Sequence, residues 1–137
     1  MRIVLDTNVL VSGLLVTGSV PSRCVDLATD GQVRWLVDQR IVAEYRRVLH
    51  YPKLGLDVAG VDVLLRYVET YAEWISAAPL PLRIADQSDL PFVEVAATGG
   101  ADAIVTGNVA DFRIVSGGRL AIPILTPRRF VELLADR

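Results

Sequence analysis

Short apolar runs alternate along the chain with longer segments in which apolar residues recur every three or four positions. A short apolar run bounded by turn residues is typical of a buried strand, and the longer period is typical of an amphipathic helix. The pattern predicts strands at residues 3–5, 33–37, 103–106 and 121–125. It predicts helices over residues 9–16, from Pro21 to near Gly31, from Asp38 to Pro52, over residues 61–76, from Ser88 or Asp89 to Gly99, and from Pro127 onwards.

The alternation of strands and helices indicates a single α/β domain that spans residues 1–137. Strands that follow one another through helices pair in parallel, and the helices cover both faces of the sheet. No internal repeat, low-complexity segment or interdomain linker interrupts the pattern. The Pro-rich segment 78–82 is expected to be extended and is a candidate for a short edge strand.

Composition and charge narrow the classes of function. Apolar residues make up 52% of the chain and the net charge is −2, so the chain has no overall attraction to nucleic acids or membranes. A polyanionic substrate therefore has to be held by local basic patches or through metal ions. Cys24 is the only cysteine, which excludes an intrachain disulfide and makes the cytosol (a cytoplasmic location) the expected compartment. No apolar stretch reaches transmembrane length without a charge, so no membrane association is expected.

The most informative polar residue is Asp6, which directly follows the first predicted strand. In open α/β sheets, ligands bind outside the carboxyl ends of the strands, and this carboxylate is expected there. A carboxylate in such a position needs backbone amides, a cation or a metal ion as its partner. Because Thr7 and Asn8 fit the start of a helix, Asp6 is interpretable equally as a metal ligand or as a helix cap.

Glu44 is the second candidate and lies on the helix that follows the second predicted strand. It follows Ile41 by three positions and precedes Val48 by four, which places it on or beside the apolar face of that helix. A glutamate on the core side is unusual, and two explanations are open. Glu44 either forms an ion pair with a nearby arginine such as Arg47, or it faces the cleft that contains Asp6 and completes a metal site.

Further polar side chains lie around the predicted strand at residues 103–106. Asp89 begins the preceding helix, so it is a candidate both for a helix cap and for a ligand at the sheet edge. Asn108 follows the carboxyl end of the strand and offers an amide oxygen or an amide donor. Asp111 either turns inward or begins a turn. Asp102 lies at the opposite end of the strand and is expected to have a structural role.

Several carboxylates at one sheet edge repel each other and require divalent cations unless they are protonated. Oxygen ligands alone suit Mg²⁺ or Mn²⁺, and a single histidine, His50, gives no Cys/His cluster for zinc. A carboxylate-held Mg²⁺ activates water and clamps a phosphate, which is the chemistry of phosphodiester hydrolysis. The chain has no Walker or dinucleotide-binding glycine motif and no nucleophile elbow, which disfavours those classes of nucleotide-binding protein and serine hydrolase.

Three blocks of the sequence resemble PIN-domain ribonucleases, the fold of VapC-like toxins in bacterial toxin–antitoxin pairs. Residues 3–10 (IVLDTNVL) look like the opening motif of that family, and residues 41–49 (IVAEYRRVL) look like its acidic helix. Residues 86–92 (DQSDLPF) and 100–108 (GADAIVTGN) together resemble the third block in one branch of the toxins. The blocks occur in the expected order and together span nearly the whole chain.

The resemblance implies a three-layer α/β/α sandwich with a central, mainly parallel sheet. It also implies a Mg²⁺- or Mn²⁺-dependent endoribonuclease that forms a homodimer and pairs with an antitoxin protein. In the family, acids at the positions of Asp6, Glu44 and Asp89 hold the metal and position the attacking water.

The chain departs from the family at one position of the site. The family often has a fourth aspartate where this chain has Asn108, and Asp111, three residues later, is the candidate replacement among the metal ligands. Asn8, Thr106 and Asn108 are expected to orient the acids. The departure puts a two-metal site in question.

RNA contacts are expected to be local, with Arg46 and Arg47 as the candidates for binding phosphate. Each is also interpretable as a solvated charge or a surface ion pair.

Three rival functions are open: an RNA-processing or DNA nuclease that is not a toxin, a catalytically weak PIN-like module that binds RNA or a partner protein, and a receiver-type phosphoacceptor domain. Asn108 favours the second. The third requires a second acidic pair and a lysine after the last strand, and the sequence has neither at the required place.

Overall fold

Five parallel strands form the central sheet of the protein. The structure is a computed structural model, and it describes residues 1–84, 86–112 and 121–135. The sheet has the order β3-β2-β1-β4-β5, with every pairing parallel. Its strands are β1 (Arg2–Leu5), β2 (Arg34–Val37), β3 (Glu73–Trp74), β4 (Ala103–Val105) and β5 (Ile124–Leu125).

The central position of β1 follows from its sequence. Ile3, Val4 and Leu5 form a continuous apolar run, and all three are completely buried. A strand covered on both faces needs such a run rather than an alternation of apolar and polar residues. In β4, Ala103–Val105 is likewise completely buried, and it pairs with β1 from Ile3 to Leu5. The carboxyl ends of these two strands therefore meet at one edge of the sheet.

Six helices accompany the strands within the described residues. They are α1 (Thr7–Leu15), α2 (Val20–Thr29), α3 (Gln39–Leu49), α4 (Val58–Tyr71), α5 (Leu90–Gly99) and α6 (Pro127–Ala135). Short 3₁₀ turns cover Pro52–Leu54, Gln87–Asp89 and Val109–Phe112. As expected, the Asp38 carboxylate caps α3 by accepting the Ile41 amide at 3.0 Å. Across the described part of the chain, no helix is both long and apolar enough to span a bilayer.

The packing of the helices gives the expected three-layer α/β/α arrangement. Helix α5 packs against β1, β2 and β4, while α1 packs against α2 and α3. Gly13 makes the contact between α1 and α2 close, because a Cβ atom there would lie 2.9 Å from the Pro21 carbonyl oxygen. The prediction of a central, mainly parallel sheet with helices on both faces is confirmed.

The structure corrects the sequence prediction between residues 58 and 84. The helix predicted at 61–76 is α4, which begins earlier and ends at Tyr71, and the edge strand is β3 rather than a segment within 78–82. The amides of that segment are satisfied by side chains of α5 instead of by a strand. Thr98 accepts the Ala78 amide at 2.9 Å, and Glu94 accepts the Leu80 amide at 2.7 Å.

Glu94 is one of the few charged side chains that the core buries. Only 6% of its side chain is exposed, and its second carboxylate oxygen pairs with Arg40 of α3 at 2.7 Å. Arg40 also pairs with Asp38 at 2.7 Å. This arrangement joins α3 and α5, the two helices that carry or follow the candidate acids.

Candidate active site

An acidic cleft of about 340 Å³ opens at the carboxyl ends of β1 and β4. The first turn of α1, the middle of α3 and the 3₁₀ turn before α5 supply its other walls. The cleft is lined by Asp6, Thr7, Asn8, Val11, Ser12, Glu44, Val48, Asp86, Asp89 and Asp111. The structure thus brings together the three acids predicted to be catalytic, Asp111 and Asn8.

Asp6 lies at the base of this cleft and is only 6% exposed. Its carboxylate accepts the Thr106 hydroxyl at 2.8 Å instead of capping α1. Burial raises the pKa of Asp6; the Thr106 hydrogen bond lowers it in part, and the nearby carboxylates of Glu44 and Asp111 raise it further. The cap interpretation of this side chain therefore fails, and its carboxylate is held against the buried end of β4.

The residues predicted to orient the acids form a chain of hydrogen bonds behind the cleft. The Thr106 hydroxyl, which donates to Asp6, accepts the Asn108 amide at 2.9 Å. The Asn108 side chain donates to Asp111 at 2.7 Å. Asn8 accepts the Gly107 amide at 3.1 Å, which joins the start of α1 to the loop after β4. Thr106 therefore contacts Asp6 directly, whereas Asn108 contacts Asp111.

Glu44 faces the cleft from α3, with 20% of its side chain exposed. The Thr7 hydroxyl donates a hydrogen bond to it. Arg47, one turn further along α3, has its guanidinium 4.0 Å from the other carboxylate oxygen and is 74% exposed. Glu44 therefore lines the cleft that contains Asp6 and also has a distant, solvated arginine beside it, while its part in a metal site stays a prediction.

Asp89 directly precedes α5, and the side-chain cap nearby is that of Asp86 on the 3₁₀ turn Gln87–Asp89. Asp86 accepts the Ser88 amide at 2.9 Å and the Ser88 hydroxyl at 2.7 Å, and these bonds lower the pKa of Asp86. The Asp89 side chain makes no capping hydrogen bond among the described residues. Burial, followed by repulsion from Asp6, Asp86, Asp111 and Glu44, raises the pKa of Asp89 to about 7. The cap interpretation of Asp89 is therefore wrong for its side chain.

Two other candidate residues lie away from the cleft. Arg46 forms an ion pair with Glu69 of α4 and lines a separate groove beside Trp74. Asp102, at the amino-terminal end of β4, accepts the Arg2 amide at 2.7 Å, which is the structural role expected for it. Of the arginines predicted to bind RNA, only Arg47 lies beside an acid of the cleft.

Three polar residues of the cleft were not predicted from the sequence: Thr7, Ser12 and Asp86. Thr7 and Asp86 lie inside recognised motifs, since Thr7 follows Asp6 and Asp86 precedes Asp89 by three positions. The spacing of Asp86 and Ser88 was the available signal, because an aspartate two residues before a serine at a helix start is typical of an Asx turn. That signal would have separated Asp86, whose carboxylate caps the turn, from Asp89, whose side chain makes no capping hydrogen bond within the described residues.

The donor set of the cleft has the chemistry of a site for a hard divalent cation. All candidate ligands are carboxylate oxygens, which Mg²⁺ and Mn²⁺ prefer. Burial, followed by mutual repulsion, raises the pKa of two of them, Asp6 and Asp89. In the part of the chain that the structure describes, however, no three His, Cys, Asp or Glu side chains form a group positioned to hold a metal ion. The residues therefore fit such a cation by chemistry and by their common cleft, but they are not drawn together around one point.

Comparison with known proteins extends these observations. Residues 2–110 match the family model described as PIN domain. A chain of the crystal structure of VapBC2 from Rickettsia felis, bound to a DNA fragment from their promoter, matches with a TM-score of 0.55 at 14% sequence identity. The match covers 92% of this chain and 98% of that chain. No curated protein matches the chain.

Proposed function

The chain belongs to the PIN-domain family, and on that basis we propose that it is a Mg²⁺- or Mn²⁺-dependent endoribonuclease. The observation that carries the proposal is the acidic cleft, in which Asp6, Glu44 and Asp89 converge from three elements that are distant in sequence. These elements are the end of β1, the middle of α3 and the start of α5. The three acids also occur along the chain in the same order as the acids in the sequence motifs of the family.

In this proposal Asp6, Glu44 and Asp89 hold the cation, with Asp111 as the fourth carboxylate. A bound Mg²⁺ or Mn²⁺ supplies an activated water and neutralises charge on the scissile phosphate. Thr106 fixes the Asp6 carboxylate from behind, and Thr7 fixes the Glu44 carboxylate from the side. Burial, followed by repulsion from the neighbouring carboxylates, raises the pKa of Asp89, and a cation held among these acids would offset the repulsion.

RNA is the proposed substrate, and Arg47 is the proposed contact to its phosphates. The net charge of −2 gives no general attraction to a polyanion, so binding has to be local. Arg47 is largely exposed and lies only loosely beside Glu44, which leaves its guanidinium available to a phosphate at the edge of the cleft. Arg46 is already paired with Glu69 and is the weaker candidate.

The biological role that we propose is that of a VapC-like toxin. The structural likeness to a chain of VapBC2 supports this role and supports an antitoxin protein as the partner. The resemblance to VapC-like proteins also supports a homodimer that acts in the cytoplasm, which agrees with the one cysteine, Cys24, being buried and unpaired.

The test is cleavage of a mixed single-stranded RNA with Mg²⁺ or Mn²⁺, compared with EDTA. The variants are Asp6→Asn and a matched control, Asp26→Asn, in which the same change is made on the exposed face of α2. We expect cleavage that requires the cation, disappears in Asp6→Asn and persists in Asp26→Asn. Cleavage that persists in Asp6→Asn, or that EDTA does not affect, would contradict the proposed site.

The alternative function is a PIN-like module that binds RNA or a partner protein without cutting it. Two observations favour it. Asn108 stands where the family often has an acid, and the cleft acids are not grouped around one point within the described residues. Calorimetric titration of the folded protein with Mn²⁺ separates the two functions. Binding that Asp6→Asn abolishes supports the nuclease, whereas the absence of binding together with retained RNA affinity supports the module.

A further inference from the structure

Tyr45 directly follows Glu44 in α3, yet its hydroxyl bonds to the strand that carries Asp6. The Tyr45 side chain is completely buried, and its hydroxyl donates to the Leu5 carbonyl at 2.5 Å. Leu5 is the last residue of β1 and directly precedes Asp6. One hydrogen bond thus connects the immediate neighbours of two cleft acids.

The ring of Tyr45 also connects this pair to the element that carries the third acid. Its centroid lies 6.4 Å from that of Phe92, which is three residues after Asp89 at the start of α5. On its other side it lies 6.0 Å from Trp35 of β2, whose indole N–H donates to the Tyr45 hydroxyl at 3.3 Å. The hydroxyl is therefore both donor and acceptor, and its orientation is determined.

The Leu5 carbonyl explains why a hydroxyl is needed at this position. The β1–β2 ladder pairs Arg2 with Arg34 and Ile3 with Trp35, so Leu5 lies beyond its last pair. A buried carbonyl without a partner is costly, and the phenol supplies the donor that a neighbouring strand would otherwise provide. Phenylalanine would fill nearly the same volume without making this bond.

We propose that Tyr45 is a positioning residue that fixes the position of β1 relative to α3, so that Asp6 and Glu44 face the same cation. The inference rests on the proposed function where it concerns the cation, but the connection between β1 and α3 stands independently. Groups that hydrogen-bond a metal ligand directly typically change metal affinity by about 10- to 100-fold when they are removed. Tyr45 acts through the neighbours of the acids, so we expect Tyr45→Phe to weaken Mn²⁺ binding by up to roughly tenfold.

The experiment compares Tyr45→Phe with Tyr67→Phe, in which the same hydroxyl is removed from α4. The Tyr67 hydroxyl also donates to a backbone carbonyl, that of Ala28 at 3.4 Å, but it joins α4 to α2 away from the acids. Mn²⁺ affinity is measured by calorimetry at a temperature at which all proteins are folded. Weaker binding in Tyr45→Phe alone supports the proposal. Equal affinities in the folded variants would mean that Tyr45 only adds stability, and would overturn it.

A second measurement needs no metal and separates the positioning role of Tyr45 from the proposed nuclease function. Amide hydrogen exchange should speed up in Tyr45→Phe at Asp6, whose amide donates to the Val105 carbonyl at 2.9 Å, more than at the amides of α4. Exchange that speeds up uniformly would overturn the positioning role. If the wild type binds no Mn²⁺ but this local effect is present, the positioning of β1 and α3 stands and the proposed nuclease function fails.

Discussion

Replacing Thr106 with valine tests how the protein stabilises a buried carboxylate. Thr106 is completely buried at the end of β4, and its hydroxyl donates to Asp6 while it accepts the Asn108 amide. Valine preserves the shape of the side chain but removes these two hydrogen bonds and a longer third one, which the hydroxyl accepts from the Asn8 side-chain amide at 3.5 Å. Asp6, which is 6% exposed, then loses the hydroxyl that favours its charged form.

The expected loss of stability follows from these two bonds. A hydrogen bond to a charged group contributes about 1.5–3 kcal/mol, and the part-buried Asn108 amide retains some access to water. We therefore expect Thr106→Val to lower the free energy of unfolding by about 2 kcal/mol at pH 8. For a chain of this length, such a loss lowers the Tm by roughly 6–10 °C.

The pH dependence of this loss is diagnostic. The hydrogen bond favours the ionised Asp6, so its removal raises the pKa of Asp6 still further. The loss should be largest above that pKa and should decrease as the pH falls and Asp6 becomes protonated in the folded protein. Urea denaturation over a series of pH values from pH 8 downwards measures how the loss changes as Asp6 becomes protonated.

Thr70→Val is the matched control for this experiment, because the Thr70 hydroxyl is exposed on α4 and donates only to its own helix. We expect the control to change stability by less than about 0.5 kcal/mol. A loss in Thr106→Val that is equally small, or that does not depend on pH, would refute the assignment of the Thr106 hydroxyl as the support of a charged Asp6.

Three further predictions concern the cleft acids, the buried ion pair and the contact between α1 and α2. Because the pKa of Asp89 in the folded protein is raised to about 7, the metal-free protein should lose stability as the pH rises from about 4 to 8. Asp89→Asn should remove on the order of 1–2 kcal/mol of that loss, a value that allows for solvent screening, and urea titrations measure it. Arg40→Met should lower the free energy of unfolding by roughly 2–4 kcal/mol in urea, because it leaves the buried Glu94 without its cation; a neutral result would mean that the Arg40–Glu94 ion pair adds nothing to stability. Gly13→Ala should destabilise the protein by about 1–3 kcal/mol despite the better helix propensity of alanine. Gly60→Ala, where the only near atoms belong to the Asp57 side chain that caps α4, should cost less, and calorimetric Tm values compare the two variants.

Apolar periodicity predicted the fold better than it predicted the edges of the sheet. The core strands and most helices could be identified because each has its own apolar run or capping residue, as in β1 and at Asp38. The two-residue edge strand β3 could not, since it has no pattern of its own and forms only because Leu36 and Val37 offer backbone partners. The extended segment that follows is set by contacts to α5, which no local pattern encodes.

The candidate site shows the same division between local and tertiary information. The acids could be selected from motifs, and their common cleft follows from the parallel topology. Which of Asp86 and Asp89 caps the turn, and which arginine lies beside Glu44, depended on side-chain directions that spacing alone does not determine. Arg46 and Arg47 are adjacent in sequence, yet they lie beside different grooves because successive helical residues point in different directions.

The pairing of β1 with β4 has a consequence for the way in which the cleft arises during synthesis. Asp6 and its partner Thr106 are separated by 100 positions, so the strand made first is completed by one of the last. Contacts between such distant segments form late and slowly. A growing chain that has not reached β4 contains Asp6, Glu44 and Asp89 but has no closed sheet edge to gather them. The nascent polypeptide should therefore lack the assembled acidic cleft until most of it has been made.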